Sequence, residues 1–164
     1  MRNGKQTYAD PISRTCVFRC PILSNLYADT LNNNRCTDVC SSNQLRDNST
    51  QMCVVTCPSN PDYFADTVSK YCVRTCPNGT FASDSTLRIC DTRCDTHNLT
   101  FGDNTTNRCT PKCPFPYFAD NSTYLCVLIC PDTSLYYGDP HSRVCVKDCP
   151  SGTGWITFAD DISQ

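Results

Sequence analysis

Apolar residues in this chain come in short clusters divided by polar turns, and no long periodic segment supplies a central core. The clusters repeat. Each opens with an aromatic residue, then Ala or Gly, then Asp: Tyr8-Ala9-Asp10, Tyr27-Ala28-Asp29, Phe64-Ala65-Asp66, Phe118-Ala119-Asp120 and Phe158-Ala159-Asp160. Looser copies are Phe81-Ala82-Ser83-Asp84, Phe101-Gly102-Asp103 and Tyr137-Gly138-Asp139, and Leu45-Arg46-Asp47 is the most degenerate. A few variable residues lead from the Asp to a Cys-x-x-x-Cys pair. Val follows the first cysteine at Val17, Val54, Val73, Val127 and Val146, as suits a short extended strand. Pro follows the second at Pro21, Pro58, Pro77, Pro114, Pro131 and Pro150, where its missing amide ends strand pairing. The pattern predicts a small, disulfide-rich, mostly β chain: an elongated rod of tandem β-ribbon repeats with little or no helix.

The residue types explain the unit. The aromatic ring is the largest apolar group available and is expected to cover a disulfide. Ala or Gly allows close backbone approach. Asp bonds its own backbone two residues on, making an Asx-turn. It stands six residues before the first cysteine in every complete repeat except that of Asp29, where it stands seven before Cys36.

All sixteen cysteines belong to eight such pairs: Cys16/Cys20, Cys36/Cys40, Cys53/Cys57, Cys72/Cys76, Cys90/Cys94, Cys109/Cys113, Cys126/Cys130 and Cys145/Cys149. A short constant period marks a repeat array. First cysteines are separated by 20, 17, 19, 18, 19, 17 and 19 residues, so long and short gaps alternate. The alternation suggests modules of two units and four cysteines, at 8–44, 45–80, 81–117 and 118–157, with 158–164 opening a further repeat. Four cysteines allow three pairings, and the spacing does not choose among them.

Cysteine at about one residue in ten is the level of a disulfide scaffold. Without it the apolar share falls to about 29%, so crosslinks must replace burial. Such cysteine usage fits an oxidising compartment, either extracellular or at a cell surface. The charge of −2 is scattered, with no basic stripe for nucleic acid. No apolar run is long enough for direct membrane insertion. The polar start Met1-Arg2-Asn3-Gly4-Lys5-Gln6-Thr7 is unlike a signal peptide, so signal and anchor are expected outside this stretch. The closing Phe158-Ala159-Asp160-Asp161-Ile162-Ser163-Gln164 parallels Tyr8 to Ser13. The natural polypeptide is therefore expected to continue into another Cys-x-x-x-Cys pair or, in a fibre, to meet the Met1 end of a next copy.

Cys72-Val-Arg-Thr-Cys76-Pro and Tyr27-Ala-Asp followed by Cys36 resemble the furin-like, growth-factor-receptor cysteine-rich repeats, in particular the long tandem arrays of ciliate and other protist surface proteins. The likeness runs from about Tyr8 to Phe158. It implies pairing of first with third and second with fourth cysteine in each module. The implied set is Cys16–Cys36, Cys20–Cys40, Cys53–Cys72, Cys57–Cys76, Cys90–Cys109, Cys94–Cys113, Cys126–Cys145 and Cys130–Cys149. Cys40-Ser41 and Cys94-Asp95 depart from the pattern by lacking the proline.

Five Asn-x-Ser/Thr acceptors occur, at Asn48, Asn78, Asn98, Asn104 and Asn121. Asn48, Asn104 and Asn121 all stand directly after the turn aspartate, which places N-linked glycans on equivalent loops. No cofactor or metal is expected. Cys₄ zinc sites would suit the spacing, but the interleaved acceptors favour disulfides. Calcium along Asp10, Asp66, Asp103, Asp120 and Asp139 is the rival to the Asx-turn, although one carboxylate per repeat is a poor cage. His97 and His141 lie in turn-like segments, and no nucleophile motif frames a catalytic site, so an enzyme is not expected.

The expected function is structural: an extracellular, glycan-coated rod, stalk or filament whose partners are neighbouring repeats or other copies. The alternative is a receptor or adhesin ectodomain that binds a protein ligand. Phe115, Tyr117, Tyr136, Tyr137 and Trp155 would be its apolar cluster, unless they cap disulfides.

Overall fold

The computed structural model describes residues 6–83, 88–94, 97–131 and 136–150. The chain is mostly β and carries seven disulfides. Among the described residues the helical content is one 3-10 turn, Ile22–Ser24, closed by Asn25 in the left-handed conformation. The expected opening of a further repeat at 158–164, together with Trp155 and Asp84, lies outside the described residues.

The chain divides into two compact units, Met1–Thr75 with Ser85–Cys90, and Cys76–Asp84 with Asp91–Gln164. In the first unit each aromatic-Ala-Asp triplet, and Leu45-Arg46-Asp47 in its place, is a strand, and each first cysteine is the centre of the next. These strands are β1 (Tyr8–Asp10), β2 (Thr15–Val17), β3 (Tyr27–Asp29), β4 (Arg35–Thr37), β5 (Leu45–Asp47), β6 (Met52–Val54), β7 (Phe64–Asp66) and β8 (Tyr71–Val73). Each odd strand forms an antiparallel hairpin with the even strand after it, and its central residue, Ala9, Ala28, Arg46 or Ala65, faces the first cysteine. The sheet order is β2-β1-β4-β3-β6-β5-β8-β7.

The second sheet repeats this plan with β9 (Phe81–Ala82), β10 (Cys90–Asp91), β11 (Phe101–Asp103), β12 (Arg108–Thr110), β13 (Phe118–Asp120), β14 (Leu125–Val127), β15 (Tyr137–Asp139) and β16 (Val144–Val146). Its order is β10-β9-β12-β11-β14-β13-β16-β15.

Hairpins join side by side through parallel bridges between the odd strand of one repeat and the even strand of the next, as at Ala9 with Arg35 and Ala119 with Val144. A residue with positive φ makes the join possible. Arg14, Asn34, Gln51, Lys70, Arg88, Asn107, Tyr124 and Arg143 all lie two residues before a first cysteine, with φ from 47° to 63°. The left-handed turn aims each carbonyl from Asn34 onward at the preceding repeat. The amides of Ala9, Ala28, Arg46, Ala65, Ala82, Gly102 and Ala119 donate to them at 2.8–2.9 Å. The Asp29 turn absorbs its extra residue with a second left-handed asparagine, Asn33.

The disulfides correct the pairing implied by the resemblance. The second cysteine of one repeat bonds the first cysteine of the next: Cys20–Cys36, Cys40–Cys53, Cys57–Cys72, Cys94–Cys109, Cys113–Cys126 and Cys130–Cys145. Cys76 and Cys90 are disulfide-bonded too, whereas Cys16 and Cys149 are not. None of Cys16–Cys36, Cys20–Cys40, Cys53–Cys72, Cys57–Cys76, Cys90–Cys109, Cys94–Cys113, Cys126–Cys145 or Cys130–Cys149 forms.

The reason is strand order. β1 separates β2 from β4, so Cys16 and Cys36 stand two strand spacings apart, about 9–10 Å. That exceeds the disulfide reach of at most about 7 Å between Cα atoms. The second cysteine lies beyond the hairpin, next to the following even strand, with Cα–Cα distances of 5.5–5.7 Å in the bonded pairs. Cys40–Cys53 and Cys113–Cys126 cross the module boundaries expected at 44/45 and 117/118, so crosslinks are not confined to four-cysteine modules.

Each core is shared by two repeats. Tyr8 clusters with Cys20, Cys36 and Ala28, Leu45 with Cys57, Cys72 and Ala65, and Phe101 with Cys113, Cys126 and Ala119. The aromatic or Leu comes from one repeat, the small residue from the next, and the disulfide joins them. The expectation that the aromatic covers a disulfide holds for Tyr8 and Phe101. At Gly102 a Cβ would stand 2.6 Å from the Phe81 ring, and at Gly138 2.7 Å from Phe118, so these two sites need glycine for close approach.

Candidate functional site: the aspartate turns

Among the described residues the turn aspartates are buried, with Gln44 the one other buried polar side chain. Asp10, Asp29, Asp47, Asp66, Asp103, Asp120 and Asp139 are between 0 and 6% exposed, so their carboxylates cannot rely on water. Each accepts its main-chain amide two residues on. The donors are Ile12, Leu31, Ser49, Val68, Thr105, Ser122 and His141, all at 2.9–3.0 Å from Oδ1. The Asx-turn reading is therefore correct in every described repeat.

Sequence reasoning missed a second part of this turn, although its signal was present. A Ser or Thr stands three residues after most of the aspartates: Ser13, Thr50, Ser69, Thr106, Thr123 and Ser142. Their hydroxyls donate to Oδ2, for example Thr50 to Asp47 at 2.6 Å and Thr106 to Asp103 at 2.8 Å. Asp29 lacks that residue and takes the Ser41 hydroxyl instead, at 3.2 Å.

These donors decide the ionisation. Burial pushes the carboxyls of Asp103, Asp120 and Asp139 up, but hydrogen bonds outweigh it and hold all three below the ordinary carboxylate value. The Ser13 hydroxyl and the Ile12 amide lower Asp10 in the same way.

Calcium fits poorly here. Both oxygens of Asp10, Asp66, Asp103, Asp120 and Asp139 already accept protein donors. Among the described residues no group of three or more His, Cys, Asp or Glu is placed to hold a metal ion.

The five glycan acceptors Asn48, Asn78, Asn98, Asn104 and Asn121 are all exposed. Asn48, Asn104 and Asn121 occupy the same position, one residue past a buried aspartate at the hairpin loop. The amide oxygen of Asn48 accepts the Tyr27 hydroxyl from the preceding repeat, which leaves its nitrogen available. In these three turns the Thr of the acceptor triplet is also the hydroxyl that holds the aspartate. His97 and His141 are exposed, as surface residues should be.

The expected apolar cluster is divided by the structure. Phe115 is 86% exposed, and the Arg143 guanidinium lies 5.2 Å from its ring and 5.7 Å from that of Phe118. Arg143 also donates to the Tyr117 and Pro114 carbonyls at 2.6 and 2.8 Å. Tyr117 packs on the core of Phe101 and Cys113, and Lys147 covers Tyr136. Tyr137 lies in β15 and is partly buried. Arg88 repeats the clamp in the first unit, over the Phe64 ring and onto the Tyr63 carbonyl. Phe64, Phe115 and Phe118 are thus fastened by an arginine of the following repeat, whereas Lys147 belongs to the same repeat as Tyr136.

No helix among the described residues is long and apolar enough to cross a membrane. No family model, curated protein or solved structure matches the chain.

Proposed function

We propose that this chain is a structural repeat glycoprotein of the extracellular space, serving as part of a stalk, coat or filament. One observation carries the reading: identical crosslinks join each repeat to the next, while the exposed loops vary and present glycan acceptors. Each crosslink closes a loop of 13–16 residues, worth about 3 kcal/mol by restriction of the unfolded chain. The uniform join spreads load evenly, and sugar on the turns keeps other chains from the sheet edges. Disulfides of this density imply secretion.

Secretion of the chain from a eukaryotic cell tests the proposal. Mass analysis after enzymatic deglycosylation should find modified Asn48, Asn104 and Asn121, and protease resistance should vanish only on adding a thiol reductant. Unmodified asparagine at all three positions, or resistance that survives full reduction, would refute it.

A second reading, a protein-binding ectodomain, has one observation in its favour. Ile12, Leu31 and Val68 stand at equivalent turn tips of the first unit and are 66%, 63% and 90% exposed.

A further inference from the structure

Strand direction decides where each hairpin tip of the first unit lies. β1 runs parallel to β4 and β3 antiparallel to it, so β3 points opposite to β1. The same two pairings recur along the sheet, so β5 points with β1, and β7 with β3. The tips therefore alternate between the two margins at which the strands end. Those after Asp29 and Asp66 share one margin with the ends of β2 and β6.

That margin is apolar and cationic. Phe18 follows β2, Leu31 tips the β3–β4 turn, Val55 follows β6 and Val68 tips the β7–β8 turn. They are 62%, 63%, 62% and 90% exposed. By strand order they form a row about 30 Å long, with gaps of about 7–12 Å between members. Arg19, Arg35 and Lys70 lie on the same margin, exposed and in no ion pair. The margin's own carboxylates, Asp29 and Asp66, are buried and taken up by the donors of their turns.

The opposite margin has another character. It carries Ile12 and Val39, but mixes them with charges of both signs, Asp38 and Asp62 with Arg14 and Arg74. Asn48, the one glycan acceptor of the first unit, also stands there, in the β5–β6 turn.

A protein partner needs a continuous complementary patch, which separate tips do not offer. A lipid interface is fluid and admits each tip as it stands. Its hold grows with the apolar area buried and with cations near anionic headgroups. We propose that the Leu31–Val68 margin of the first unit docks on the surface of an anionic lipid bilayer. Phe18, Leu31, Val55 and Val68 dip into the interface, and Arg19, Arg35 and Lys70 meet headgroup phosphates. The chain lies on the bilayer without crossing it, and sugar on Asn48 points away from the lipid. The inference deepens the reading above by selecting a coat over a stalk or filament. It is measured on the purified chain with or without sugar, so the two fail separately.

The test uses vesicles of equal parts phosphatidylserine and phosphatidylcholine, against phosphatidylcholine alone. The chain should sediment with the anionic vesicles about tenfold more strongly, and less so as salt rises. Leu31→Ser with Val68→Ser should weaken that binding about tenfold, since two apolar tips are lost. Arg35→Gln with Lys70→Gln should remove most of the preference for phosphatidylserine. A tryptophan at Leu31→Trp or Val68→Trp should shift its emission to the blue on anionic vesicles, and one at Ile12→Trp should not. Equal binding to both vesicles, or to neither, would overturn the proposal. So would serine variants that bind like the unmodified chain, or an Ile12→Trp shift as large as that of Leu31→Trp.

Discussion

The two units use one framework and dress it differently. In the first, three of four turns end in an apolar tip, Ile12, Leu31 or Val68, and only the Asp47 turn carries a glycan acceptor. In the second, the Asp103 and Asp120 turns pair Asn104 and Asn121 with the hydroxyl tips Thr105 and Ser122, and His141 tips the Asp139 turn. The aspartate accepts three donors in both kinds. Asp66 takes two amides, of Val68 and Ser69, and the Ser69 hydroxyl. Asp120 takes the Ser122 amide, the Ser122 hydroxyl and the Thr123 hydroxyl. An apolar tip thus exchanges a hydroxyl for a second amide without leaving the carboxylate short. The framework fixes the aspartate and, except after Asp29, the hydroxyl three residues on, and leaves the two between to face solvent.

If the units share a framework, losing a crosslink should cost the same in both. Replacing Cys57 and Cys72 together by Ala, or Cys113 and Cys126, should each lower stability by about 3 kcal/mol in denaturant melts. A pair of values differing by more than about 1 kcal/mol, one of the usual mutational increments, would show that the units are not equivalent. Next in size is the carboxylate. Asp66→Ala and Asp120→Ala should each cost about 1–3 kcal/mol, because buried or half-buried donors lose their acceptor. Ser122→Ala should cost less than about 1 kcal/mol, since Asp120 can take an amide in place of the hydroxyl as Asp66 does. A Ser122→Ala loss as large as that of Asp120→Ala would break the equivalence of the turns.

These features differ in how far the sequence announces them. Aspartate in the Asx-turn, valine in the strand after the first cysteine and the aromatic over the disulfide follow from the chemistry of single residues. The left-handed position does not. It is filled by Arg, Asn, Gln, Lys and Tyr, with no glycine to mark it. The disulfide pairing was also hidden, because eight identical Cys-x-x-x-Cys pairs look alike and only the order β2-β1-β4 separates Cys16 from Cys36. The proline after the second cysteine is not what shapes the turn there. Ser41 replaces it with no change of turn, since its carbonyl accepts the Gln44 amide as Pro77 accepts that of Thr80. The site asks for an acceptor there, which any residue supplies. Leu45-Arg46-Asp47 looked degenerate, yet the Arg46 backbone joins the sheet as Ala does, while its guanidinium lies 4.2 Å from the Tyr71 ring centre.

A smaller effect, seen in both units, follows pH. Asp103, Asp120 and Asp139 in the second unit, and Asp10 in the first, are more acidic folded than the ordinary value of 3.8. A depressed folded value stabilises the chain above the unfolded pKa, and that contribution is lost as pH falls through the folded one. Amides of Thr105, Ser122, His141 and Ile12 should therefore keep their hydrogen-bonded chemical shifts at pH 3.8 and lose them only below it. Titration of these amides by NMR with a midpoint at or above 3.8 would contradict this reading.

The smallest effect on stability concerns the surface positions and sharpens the comparison most directly. Asp66-Thr67-Val68-Ser69 differs from the acceptor turns in its second residue, because Ser69 already provides the hydroxyl three residues on. Thr67 is exposed, so Thr67→Asn should change stability by no more than about 0.5 kcal/mol. It creates Asn-Val-Ser at the position that Asn48, Asn104 and Asn121 hold in their turns. The folded turn binds the Ser69 hydroxyl to Asp66 at 2.6 Å, so the transferase must reach this site before the hairpin closes. A secreted Thr67→Asn chain should gain the mass of one further glycan, removable by an N-glycosidase. The same chain refolded first and then offered to the transferase should gain none. Modification of Asn48 with none at the new asparagine would show that the acceptor turns differ from the apolar-tipped ones in more than the residues facing solvent.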